Sequence, residues 1–183
     1  MKMLAVLVPF LLFGGETLLA NQAEVDVCVG KLPAEAAVLL SSRSPSWHVK
    51  RLEDFGAEDQ KLWQSRRPGQ CPGVVPAHLQ FRSQFSYAVL LVPNSMDRPG
   101  LRVVVLYRTA GPPAFRALLL LKDDKSRPSR QGLVKMPSGT YCGFENLHCV
   151  TLGLEAFNLE ALEDGILLYY FRGGRFRTLQ TSD

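Results

Sequence analysis

The chain has 183 residues, of which 46% are hydrophobic and 21% charged, and its formal net charge is +4. It contains no internal repeat, low-complexity segment or long linker, and no stretch beyond the N-terminus approaches the length of a membrane span. The mild positive excess favours anionic partners such as phosphate-rich membrane surfaces or acidic glycans, or simply keeps the protein soluble. Nucleic acid is not an expected partner, because the arginines are spread over the whole chain, are offset by 17 acidic residues and accompany no recognised motif.

Met1-Lys2-Met3 carries a cation, Leu4 to Phe13 is almost wholly apolar, and Leu18-Leu19-Ala20 offers the small residue that a signal peptidase needs. The apolar run is shorter than the roughly 20 residues of a spanning helix, and Pro9 and Gly14-Gly15 weaken it further. Residues 1–20 are therefore read as a signal peptide and 21–183 as a single domain of about 160 residues. Cleavage after Ala20 fits best and cleavage after Ala23 is second; a retained N-terminal anchor is the competing reading. Cleavage removes Lys2 and Glu16 together, so the formal charge stays at +4. The expected location is secreted or periplasmic, with no transmembrane segment in the mature chain.

In chain order, Leu32 to Leu40 reads as a short helix opened by Pro33, and Ser41 to Ser46 should break it. Trp47 to Leu52 reads as a strand. Ala57 to Arg66 reads as a second helix, with Leu62 and Trp63 on its buried side, Glu58 and Asp59 at its positive end, and Pro68-Gly69 as its stop. Strands follow at Ser86 to Val92, Leu101 to Arg108, Phe115 to Lys122, Leu133 to Met136 and Cys149 to Leu154, separated by Gly- and Pro-containing turns. A hairpin closes the chain. Gly173-Gly174 suits a two-residue turn between Gly165 to Arg172 and Arg175 to Thr181. The fold class is α+β: a mostly antiparallel sheet with one or two N-terminal helices, stapled by disulfides.

Outside the cytosol the cysteines Cys28, Cys71, Cys142 and Cys149 should form disulfides, for which three connectivities exist. Cys142 and Cys149 are close enough to shut a small loop, which leaves Cys28 for Cys71. A metal site at Cys149 and His148 is disfavoured, because the spacing matches no zinc pattern and further ligands are lacking. No metal and no cofactor is expected.

The register of the closing hairpin sets Arg172 opposite Arg175, Phe171 opposite Phe176, Tyr170 opposite Arg177 and Tyr169 opposite Thr178. Leu167, Tyr169, Phe171 and Phe176 should face the core. Tyr170, Arg172, Arg175 and Arg177 should share the outer face and form the candidate binding surface, able to take a phosphate or carboxylate by bidentate bonds. The competing reading is a solvated face that discourages edge aggregation. No catalytic residue is assigned. The chain has no Gly-x-Ser-x-Gly elbow, no His-Glu-x-x-His pair and no phosphate loop. Ser138 reads as turn chemistry, Glu53-Asp54 and Asp123-Asp124 as solvated turns, and His48 and His78 as structural residues.

Cys71-Pro72-Gly73-Val74-Val75, followed by the apolar run Ser86 to Val92, and the C-terminal Leu168 to Phe176 with Thr181-Ser182-Asp183, resemble a group of small exported bacterial proteins of unknown function that carry an FG-GAP-like motif. The resemblance implies a loop between the first two segments that holds calcium. This chain departs there: Ala77 to Phe85 contains no carboxylate and brings Arg82, whereas a hard divalent cation needs several oxygen ligands. The functional expectation is an exported, non-catalytic binding protein whose partner is an envelope protein or an anionic envelope component. The alternatives are an inhibitor or immunity protein against a cell-wall hydrolase, and an envelope hydrolase that pairs His48 with Glu53 or Asp54.

Overall fold

Two antiparallel sheets lie face to face, and each carries a helix on its outer side. This is a computed structural model, and it describes residues 26–28, 30–95, 98–126, 130–144, 148–162 and 165–182. The expected signal peptide and its cleavage points lie outside the described residues. In chain order the elements are α1 (Ala34–Arg43), β1 (Trp47–Val49), a 3₁₀ turn (Leu52–Asp54), α2 (Ala57–Arg66), β2 (Val74–Phe81), β3 (Gln84–Pro93), β4 (Leu101–Arg108), β5 (Phe115–Asp123), β6 (Gln131–Met136), β7 (Gly139–Cys142), β8 (Cys149–Leu152), β9 (Ala156–Ala161), β10 (Gly165–Arg172) and β11 (Arg175–Ser182). The α+β class read from the sequence is what forms, with strand pairs that are antiparallel throughout.

The first sheet has the order β1-β3-β4-β5, and β2 shares the β1 edge of the long strand β3. The second has the order β11-β10-β9-β6. Alternation along each strand sends Val75, Ala77, Leu79, Ala88, Leu90, Val103 and Val105 of the first sheet against Leu133, Phe157 and Tyr169 of the second. These residues form the main core. Burying that apolar surface is the dominant favourable term in the fold. The core pushes the Tyr169 hydroxyl up to about 12 through burial.

The outer face of the first sheet is apolar too, because Val89, Leu91, Val104, Leu106 and Phe115 lie there. Helix α1 covers it with Ala36 and Leu40. This helix runs further than the sequence suggests. Ser41 and Ser42 do not break it, because their hydroxyls donate to the carbonyls of Val38 and Leu39 at 3.0 Å and stay satisfied inside the last turn.

Helix α2 covers part of the second sheet's outer face through Trp63, with the half-buried Leu62 packed beside it. Trp63 is fully buried among Phe55, Val134 and Leu162, and its indole N–H donates to the Gln70 carbonyl at 3.0 Å. A Cβ at Gly132 would lie 2.4 Å from the Trp63 ring, so glycine there lets the indole lie against the backbone of β6. The remainder of that face is covered by the β7–β8 ribbon, which packs Val150, Leu152 and Tyr141 on Leu168 and Tyr170. The disulfides are Cys28–Cys71 and Cys142–Cys149, the pairing expected from the spacing.

Candidate functional site

The closing hairpin forms in the register read from the sequence: Arg172 faces Arg175, Phe171 faces Phe176, Tyr170 faces Arg177 and Tyr169 faces Thr178. Gly173 and Gly174 take φ of 61° and 78°, values an L side chain rarely adopts, and this makes the two-residue turn possible. Arg172, Arg175 and Arg177 are all exposed, and no ion pair joins them to a described carboxylate. Tyr170 departs from the expectation. It is 7% exposed and packs with Val150, Leu152, Ala156 and Leu168. The β7–β8 ribbon lies over this stretch of β10, so both faces of the strand are covered as far as Tyr170. Only the turn end projects.

A second hairpin joins the first at the same end of the molecule. The sequence Ala77 to Phe85 is not a loop; it is the end of β2, a two-residue connection at Arg82-Ser83, and the start of β3. His78 on β2 meets Glu155 just ahead of β9. Glu155 Oε2 accepts the His78 backbone N–H at 2.7 Å and lies 3.0 Å from Nδ1 of the ring, while Oε1 accepts from Lys135 Nζ at 2.7 Å. Partial burial works to raise the Glu155 carboxyl, but these hydrogen bonds outweigh it and hold the group below its ordinary value. Arg82 donates to the Gly153 carbonyl at 3.5 Å. The Phe85 ring lies on the His78 ring at 4.1 Å between centroids.

These contacts place the β2–β3 turn beside the entry to β9. The antiparallel pairing of β9 with β10 puts the Gly173-Gly174 turn at that same end. In the first sheet, Ser86 pairs with Tyr107 and Arg108 with Phe115, so Arg108 and Arg116 also lie there. The end of the sandwich thus gathers exposed guanidiniums from three connections. Glu155 is the carboxylate found with them among the described residues, and it is already held by Lys135 and His78. Phe81 and Phe85 stand exposed at 58% and 49% on either side of Arg82-Ser83. The chemistry of the whole arrangement is that of a surface for anions with apolar rings among its charges.

The opposite end uses its charges internally. His48 and Asp54, the pair named for acid/base chemistry, do meet: His48 Nε2 is 2.9 Å from Asp54 Oδ1. The other ring nitrogen is 3.2 Å from Asn94 Oδ1, and Asn94 is oriented by donating to the Pro45 carbonyl at 3.0 Å. Asp54 Oδ2 accepts the Arg51 backbone N–H at 2.7 Å, closing the 3₁₀ turn that ends the first strand at Val49 instead of Leu52. Glu53 points away and pairs with Arg51 at 3.3 Å. Both ring nitrogens and both carboxylate oxygens are thus engaged in joining β1, the turn and the end of β3.

Beside them Lys50 is fully buried, its ammonium 4.1 Å from the centre of the Phe55 ring and 3.4 Å from the Asp54 carbonyl. Burial pushes this group down to about 8, against the upward pull of Asp54 and Asp59. An open depression of about 250 Å³ between Gln131, Leu159, Ile166 and Gln180 contains none of the histidines or paired carboxylates. Among the described residues no three His, Cys, Asp or Glu side chains come together as a metal site requires, and no helix is long and apolar enough to cross a membrane.

The site and fold define a disulfide-stapled, two-sheet α+β protein with a cationic, aromatic end. No family model matches the chain, and no curated protein or solved structure matches it.

Proposed function

We propose that this is an exported, non-catalytic binding protein that acts in the periplasm or on the cell envelope and takes an anionic envelope component on the end bearing Arg82, Arg172, Arg175 and Arg177. The observation that carries this reading is the gathering of exposed guanidiniums from separate hairpins at one end, where Glu155, the carboxylate found there among the described residues, is already engaged by Lys135 and His78. Like charges set directly opposite each other across a ladder repel. Arg172 and Arg175 are held in that position by a tight turn, so a phosphate or carboxylate between them would relieve the repulsion and accept bidentate bonds. The leader-like N-terminus and the disulfides support export.

The hydrolase reading draws on the contact between His48 and Asp54. The engagement of every polar atom of that pair in local structure favours a structural role instead. An inhibitor of a cationic wall hydrolase would approach its target against unfavourable steering if it used this end.

Replacing Arg172, Arg175 and Arg177 together by glutamine and measuring capture of anionic cell-envelope material tests the proposal. The expected result is loss of most binding, steeply dependent on salt in the parent protein. Binding that is unchanged by the substitutions would remove the cationic end as the site.

A further inference from the structure

Resting on that reading, we infer that the anionic partner is the surface of a lipid bilayer, and that Phe81 and Phe85 enter the boundary between headgroups and acyl chains while Arg82, Arg172 and Arg175 engage lipid phosphates. The aromatic rings decide between sources of phosphate. Phe81 pairs with Gln84, and Phe85 is the next residue along β3, so the two rings stand on opposite sides of the Arg82-Ser83 tip. The rings are 58% and 49% exposed. The Phe85 ring rests on the His78 ring on one side, 4.1 Å between centroids, and leaves the rest of its surface to solvent.

Phe81 and the open side of Phe85 keep apolar surface in contact with water, which costs free energy that an apolar phase would recover. A soluble polyanion offers them no apolar phase, whereas a bilayer does, directly beneath the phosphates that the guanidiniums seek. The charge on this end is complementary to an anionic leaflet. Among the described residues the carboxylate at this end is Glu155, which is engaged by Lys135 and His78 and so opposes the approach little. The inferred attachment is made by strand tips; no helix among the described residues is long and apolar enough to cross a membrane.

The test is sedimentation of the disulfide-intact protein with vesicles of phosphatidylglycerol and phosphatidylcholine, with vesicles of phosphatidylcholine alone, and a separate titration with soluble polyphosphate. The account expects binding to the anionic vesicles and little to the neutral ones. Each Arg→Gln at Arg82, Arg172 or Arg175 should weaken vesicle binding about fivefold. Phe81→Ser with Phe85→Ser should weaken it by about tenfold or more and leave polyphosphate binding as it was. The variant Phe81→Trp with Phe85→Trp should retain vesicle binding, and its emission should shift to the blue on anionic vesicles. Full vesicle affinity in the serine variant, or no emission shift in the tryptophan variant, would overturn the lipid assignment. Binding to polyphosphate without binding to anionic vesicles would overturn it too, while leaving the anion-binding reading in place. Failure to bind either would remove both.

Discussion

At the end where β1 meets the 3₁₀ turn, His48, Asp54, Asn94 and Lys50 are bound to one another or to nearby backbone and rings, and the Cys28–Cys71 bridge lies close by in the fold. At the hairpin end, Arg172, Arg175 and Arg177 project into solvent with no described carboxylate to meet them, and two phenyl rings stand beside Arg82. Both ends bring cationic side chains and aromatic rings together, but the partners of those groups differ. A polar group whose hydrogen-bonding capacity is met inside the fold contributes to structure; one left unmet on a rigid turn is available to a ligand. Substitutions at the first end should therefore change stability and spare binding, and substitutions at the second should do the reverse.

The largest expected effect sharpens this contrast through the disulfides. Cys28–Cys71 closes a separation of 43 residues and Cys142–Cys149 one of 7. Chain entropy then gives about 4 kcal/mol for the first bridge and about 2 kcal/mol for the second. Urea unfolding of the two serine double variants should show the Cys28/Cys71 pair as the more damaging loss. Equal losses would mean that the longer staple does not constrain the unfolded chain as supposed.

Next in size is the buried lysine. Lys50 sits at about 8 in the fold against an ordinary 10.5. Between those values the unfolded chain holds a proton that the folded chain lacks, so stability should rise with pH across that window. Below it, the cost of burying the charge persists at about 3 kcal/mol. The urea midpoint of the parent protein should climb between pH 8 and pH 10 relative to Lys50→Met. A difference that stays flat or falls would show that Lys50 is not held down by burial.

The smallest expected change in stability is at the other end. Arg172→Gln, Arg175→Gln and Arg177→Gln together should shift the unfolding free energy by less than about 0.5 kcal/mol, since the side chains are exposed and unpaired with described carboxylates. A loss several times larger would break the comparison by making these arginines structural.

Local signals made much of this legible in the sequence. The closing hairpin followed from Gly173-Gly174 and strict alternation, the central strands from β-branched valine, and the disulfides from spacing. What escaped depends on contacts between distant segments. Tyr170 alternates with the core residues as an outer-face residue should, yet the β7–β8 ribbon covers it, and nothing local to β10 announces that cover. The β2–β3 hairpin was hidden because Arg82-Ser83 carries no glycine, asparagine or proline to mark a turn. The contact between His78 and Glu155 joins residues 77 positions apart, so sequence neighbours could not reveal it. The arginines of the candidate site were therefore visible from the start, while Arg82, Phe81 and Phe85 became part of it only once the hairpins were brought together.

Hydrogen exchange of the disulfide-intact protein, followed by mass spectrometry with and without anionic vesicles, tests the central claim most directly. Bound vesicles should slow exchange in the segments around residues 81–85 and 171–177 and leave residues 47–66 unchanged. Protection confined to 47–66, or absent from both hairpin tips while the protein is bound, would contradict the assignment of the cationic end as the binding surface.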